Sequence, residues 1–168
     1  MKQKKALKII SLILISLLIL LFIIRLFSYS YLDDVHMDIP CEESLLNKAD
    51  YLAVIPFYNN NSIGNEAEWC NHINQLNKTL IMHGVYHTFE EFNKDRSQGY
   101  LEIGEIAFSH CFGFNATEFK PPQLKISDKN LRTLKEDYKI HNGFNQLIHK
   151  SYHCNDSGRF PNWLISII

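Results

Sequence analysis

Thr79-Leu80-Ile81-Met82-His83-Gly84-Val85-Tyr86-His87 is the stretch around which the chain is organised. Residues 79–82 have strand-forming or apolar character, and the run ends at His83. Gly84 then breaks it. The pattern predicts a buried strand that runs directly into a loop carrying His83 and His87. If that loop turns into a helix, the four-residue spacing places both imidazoles on one side of the backbone, close enough to share a metal ion. Two neutral imidazoles need a third ligand to make an open catalytic centre. The best upstream candidate is Tyr31-Leu32-Asp33-Asp34-Val35, a second apolar run that ends in acid. Ligands gathered from distant strand ends are how barrels and doubly wound sheets build sites.

Outward from this stretch, strands and helices alternate. Tyr51 to Ile55 reads as a buried strand stopped by Pro56, and Glu42 to Lys48 as a short helix before it. Asn59 to Gly64 reads as a polar loop. Glu66 to Leu76 is amphipathic, with Trp69, Ile73 and Leu76 on one face. Ser97 to Phe112 reads as a helix stopped by Gly113, with Ile103, Ile106, Ala107 and His110 on its apolar stripe. Glu118 to Gln123 reads as a short strand ended by Pro121 and Pro122. Ser127 caps a helix to Tyr138, with Leu131, Leu134 and Tyr138 as its stripe. Trp163-Leu164-Ile165 is expected to be a last strand. The alternation is the α/β pattern, with a parallel sheet or a small barrel.

The first residues are of another kind. Lys2, Lys4, Lys5 and Lys8 precede an uncharged run from Ile9 to Ile24, and Arg25 follows it. With Lys8 and Arg25 snorkelling, the apolar span approaches the ~20 residues that a bilayer requires. It exceeds the ~7–15 residue core of a cleaved signal, although Ser28-Tyr29-Ser30 offers a small-x-small cleavage site. Residues 1–27 are therefore expected to be a cytoplasmic basic tip and a signal anchor, and 28–168 a single domain outside the membrane. With almost no linker between them, the functional face is expected near the bilayer surface. The net charge of −1 over 168 residues, without a basic stripe beyond the first residues, excludes a nucleic-acid binder. Cys41, Cys70, Cys111 and Cys154 permit two disulfides in three connectivities, or four free core thiols.

Asp33-Asp34 after one strand, His83-x-x-x-His87 after a second and Phe119-Lys120-Pro121-Pro122-Gln123 after a third occur in that order. This arrangement resembles the polysaccharide deacetylase superfamily, carbohydrate esterase family four. It is most similar to a branch of uncharacterised membrane-linked deacetylase-like proteins with a histidine-glycine-x-x-histidine loop. The resemblance covers about residues 27 to 155. It implies a distorted (β/α) barrel with fewer than eight strands, here preceded by one transmembrane helix. It further implies that Asp34, His83 and His87 hold a divalent metal, usually zinc, and that Asp33 is the general base. Phe119 to Gln123 would form a wall of the substrate groove, with Tyr86, Lys120, Pro121, Pro122 and Gln123 facing the substrate. A C-terminal histidine, His153 or His149, would be the general acid. The implied reaction is removal of N-acetyl or O-acetyl groups from a glycan by metal-activated water. Three positions depart from the family pattern. Val35 stands where Gly is usual, Gly84 where Ser or Thr is usual, and Lys120 where Arg is usual. No fourth motif is present, which leaves a second class open: a membrane-anchored glycan-binding or scaffold protein with a degenerate barrel.

Overall fold

In the computed structural model, residues 2–141 and 143–167 are described. Helix α1 (Lys2–Phe27) begins the chain. Its segment Lys5–Phe27 is long and apolar enough to cross a membrane, and it is exposed apart from half-buried Leu21 and Arg25. At 1.5 Å per residue its 23 residues reach about 35 Å. Only Ser28 and Tyr29 separate α1 from the first strand.

The remaining elements follow as β1 (Ser30–Val35), α2 (Glu43–Lys48), β2 (Tyr51–Val54), β3 (Phe57–Tyr58), β4 (Asn61–Ser62), α3 (Ala67–Gln75), β5 (Thr79–Met82), α4 (Gln98–Phe112), β6 (Glu118–Phe119), α5 (Asp128–Asp137), β7 (Lys139–Ile140), α6 (Gly143–Ile148), β8 (Lys150–His153) and α7 (Asn162–Ile167). Six strands form one parallel sheet in the order β7-β6-β5-β2-β1-β8. No ladder joins the edge strands β7 and β8 among the described residues.

The sheet is strongly curled. In a flat sheet, β1 and β7 would lie four strand spacings apart, roughly 19 Å. Yet the Tyr31 hydroxyl is 3.2 Å from His141 Nδ1, just after β7. Curling also separates two apolar populations along the alternating strands. Leu32, Leu52, Leu80, Met82 and Phe119 belong to the large core beneath the helices, whereas Tyr31, Ala53 and Ile81 form a small cluster on the concave side.

Two disulfides clip this frame. Cys41–Cys154 joins the segment before α2 to the turn after β8, with Cα atoms 4.5 Å apart. Cys70–Cys111 joins α3 to α4, with Cα atoms 5.3 Å apart. Of the alternatives open to four cysteines, this pairing uses all of them.

Several local expectations differ from what forms. Residues 57–62 are a hairpin rather than a loop, because Asn59 and Asn60 both take positive φ (49° and 66°) in a two-residue turn. Asn tolerates that region better than other side chains. Helix α4 buries Leu101, Gly104, Ala107, Phe108 and Phe112, while Ile103 and Ile106 are exposed. Close packing against the loop at Val85, the Ile63–Asn65 turn and α3 decides which face turns inward. A Cβ at Gly104 would lie 3.0 Å from Val85 Cγ2, so small residues mark the contact. Trp163-Leu164-Ile165 is helical, in α7, and buries Ile165.

Candidate metal centre at the strand ends

Asp33 and Asp34 are neighbours in a strand, so their side chains should point to opposite faces. A bulge removes that constraint. Leu32 pairs with Leu52 and Val35 with Val54, so two residues of β1 stand against one of β2. Asp34 takes a positive φ of 63°, which Asp accepts more readily than a branched residue. Both carboxylates thereby reach the same cleft, of about 420 Å³, at the C-terminal ends of the strands.

His83 leaves β5 directly, but no helix follows it. Residues 83–91 form a loop organised by the carboxylate of Glu91, which is fully buried. This carboxylate accepts the backbone N–H groups of Val85 (3.2 Å), Tyr86 (2.8 Å) and His87 (3.1 Å), and the Tyr100 hydroxyl donates to it at 2.5 Å. Gly84 has φ +71°, and an added Cβ would collide with Glu91 and come within 2.6 Å of Pro122. Glycine is thus needed here for both conformation and space. His87 itself sits at φ +53°. The expected helical i,i+4 pairing is replaced by a turn that brings the two rings to 4.8 Å between centroids.

The ring orientations follow from their second contacts. His83 Nδ1 donates to the Lys120 carbonyl at 2.8 Å, which turns Nε2 toward Asp34. Asp34 Oδ1 lies 3.0 Å from His87 Nε2 and 3.5 Å from His83 Nε2. The Ser157 hydroxyl donates to Asp34 Oδ2 at 2.5 Å. One ligand atom from each of Asp34, His83 and His87 lies within 4.8 Å of the others. Tetrahedral zinc with bonds of ~2.0–2.1 Å places its ligands about 3.3 Å apart. These residues fit such an ion in donor type, in orientation and, after small side-chain shifts, in spacing.

Asp33 pairs instead with Lys120. The ammonium lies 2.7 Å from both Asp33 oxygens, and both side chains are buried. Burial alone would push the Asp33 carboxyl up, but Lys120, then His83 and His153, hold it below the usual carboxylate range. His153 ends β8 as the register partner of Asp33, with Nε2 3.5 Å from Asp33 Oδ2. His149 lies at the other end of β8, against the rings of Tyr29 and Tyr31. Of the two C-terminal candidates, only His153 reaches the cleft.

Other groove residues sort differently from expectation. Pro121 and Gln123 line the cleft, with Leu124 beside them. Pro122 is buried against Gly84, and Tyr86 packs on Phe57 and Tyr100, so neither lines it. Lys120 reaches the cleft as the buried partner of Asp33, not as a surface group. α1 enters at the start of β1, and the strand from Ser30 to Asp34 rises roughly 13 Å before the ligands begin.

Compared with models of protein families and with curated protein sequences, the chain matches none. Function has to come from the centre's own chemistry.

Sequence reasoning missed Glu91 and Ser157. Glu91 offered one signal, an acid directly before the apolar Phe92, but its three backbone partners are invisible without the turn. Ser157 offered none.

The electrostatics give a pH prediction. Burial alone would lower the His83 imidazole, but the Asp34 contact and the charge of Asp33 raise it above 6.5 in the ion-free protein. A metal must displace that proton. Zinc affinity will therefore be full above the raised value and fall as pH drops through it, by up to tenfold per pH unit for one displaced proton. Zinc titrations between pH 8 and pH 6 measure this, and a flat profile there removes His83 from the ligand set.

Proposed function

We propose that the chain is a metal-dependent hydrolase that removes acetyl groups from a glycan, with the amide of an N-acetylated sugar as first choice. One observation carries it: two imidazoles and a carboxylate converge in one cleft, with a second, separately held carboxylate beside them. Asp34, His83 and His87 would hold the metal, zinc by donor type. When bound, the ion would act as a Lewis acid toward the acyl oxygen and acidify water.

The chain's own groups supply the rest. Asp33 accepts a proton from the attacking water, and Lys120 keeps it ionised and fixed in direction. His153, 3.5 Å from Asp33, delivers a proton to the leaving amine as imidazolium. Pro121 and Gln123 flank the sugar. In this reading the curled sheet is a distorted (β/α) barrel short of eight strands, with α6 packed on β8 and α1. On the same reading the lysines in the first turns of α1 keep the N-terminus in the cytoplasm and the domain outside. Two disulfides agree with an oxidising compartment.

The close hold of Lys120 on both Asp33 oxygens favours one other reading, a glycan-binding scaffold with an inert centre. Acetate release separates the two. Full-length protein loaded with zinc is expected to release acetate from N-acetylated oligosaccharides, to stop with chelator and to resume with added zinc. Fully loaded protein that releases no acetate from any acetylated glycan would establish the scaffold.

A further inference from the structure

We infer that the hollow between α1 and the cleft binds a phosphate joined to an apolar chain, so that the substrate is a glycan linked through phosphate to a membrane lipid. This rests on the hydrolase reading above and adds a substrate class to it.

The hollow measures about 330 Å³ and adjoins the cleft: Gln146, His153 and Arg159 stand in the walls of both. Its lining includes two guanidinium groups, Arg25 and Arg159, and no carboxylate. Arg25 is fixed at the mouth, donating from Nη1 to the carbonyls of Gln146 (3.1 Å) and Leu147 (3.0 Å). Arg159 is exposed beside the Phe160 ring, and no carboxylate lies within ion-pair distance of it among the described residues. A planar guanidinium suits phosphate oxygens. Leu147, Phe160 and Ile165 make the remaining wall apolar.

Position selects the source of that phosphate. Arg25 lies in the last turn of α1, two residues before its end, at the depth where a spanning helix meets lipid headgroups. Phe27, Phe144, Leu147 and Phe160 are exposed in the same region, and α6 packs on α1. A soluble glycan has no group to place between an apolar wall and two arginines at that level. A lipid phosphate ester does, and its sugar then extends along the adjoining wall past His153 into the cleft.

The test uses the full chain in phosphatidylcholine vesicles, with fluorescent dodecyl phosphate as the binding probe. Unlabelled dodecyl phosphate should displace the probe, while dodecyl glucoside and inorganic phosphate at equal concentration should not. Arg159→Gln should weaken probe binding about tenfold or more, from loss of charge-assisted hydrogen bonds. Phe160→Asp should weaken it independently. Acetate release from N-acetylglucosamine joined to a long-chain alcohol by a phosphodiester should exceed that from the phosphate-free alkyl glycoside at least tenfold in kcat/KM, through KM. Displacement by dodecyl glucoside, equal displacement by inorganic phosphate, or unchanged affinity in both variants overturns the lipid-phosphate site. Equal kcat/KM for the two lipid sugars overturns the substrate assignment while the hydrolase stands. Probe binding as described with no acetate from either sugar sinks the hydrolase and leaves the lipid-phosphate site in place.

Discussion

Asp33→Asn will retain the metal and lower turnover by ~10²–10⁴, the usual range for loss of a positioned general base. Asparagine keeps the size of the side chain and removes its basicity. The Asp34, His83 and His87 ligand atoms are untouched, so zinc should stay. The same change has a second consequence that follows from burial. Lys120 is 3% exposed and directs its ammonium at Asp33, so the variant strands a buried cation. Removing one partner of a buried pair costs about 3–5 kcal/mol. Lys120→Met should cost a similar amount by stranding the carboxylate. The double variant Asp33→Asn/Lys120→Met, with neither charge, should recover much of that stability and none of the turnover. Urea denaturation, zinc content and acetate release on the three variants measure all of this. Loss of zinc in Asp33→Asn would make Asp33 a ligand and end its assignment as base. Turnover restored in the double variant would show that Asp33 was needed only to neutralise Lys120.

Removing the Cys41–Cys154 bridge will destabilise the domain by about 2–5 kcal/mol, the range for a native disulfide in a small domain. It closes a sequence separation of 113 residues, against 41 for Cys70–Cys111. The chain-entropy account makes the longer closure worth ~0.9 kcal/mol more. Position adds to this. Cys154 directly follows His153, and Cys41 ties it to the segment that leaves β1, so the bridge joins the strands bearing Asp33 and His153. Cys41→Ala/Cys154→Ala should therefore lose more activity than Cys70→Ala/Cys111→Ala. Denaturation midpoints and acetate release of the two double variants decide it, and equal losses in both would deny the bridge any part in the centre.

Much of the centre could be read from residue order. Apolar runs ending in Asp33-Asp34 and in His83 predict strand ends, and parallel strands collect their ends on one side. Lys120 and His153 arrive there for the same reason, directly after β6 and at the end of β8. The bulge at Asp33-Asp34 could not be read, because it depends on the registers of β1 and β2. The loop through His87 looked helical from spacing alone, yet Gly84 and the Glu91 carboxylate impose a turn. Lys120 looked like a groove residue because a sequence carries no record of which cation a buried acid will meet. The stripe of α4 was misjudged at Ile103 and Ile106 for a packing reason: close contact with Val85 turns the face of Gly104 inward, together with Leu101, Phe108 and Phe112.

The pairing of ligands across β1 and β5 is the central claim, and metal content measures it most directly. Full-length protein purified with zinc, then washed free of loosely held ions, should carry about one zinc per chain. Asp34→Ala, His83→Ala and His87→Ala should each lose most of it, while His149→Ala, at the far end of β8, should keep it. Wild-type protein that retains no zinc, or zinc that survives loss of His83 and His87 but not of His149, would contradict the account.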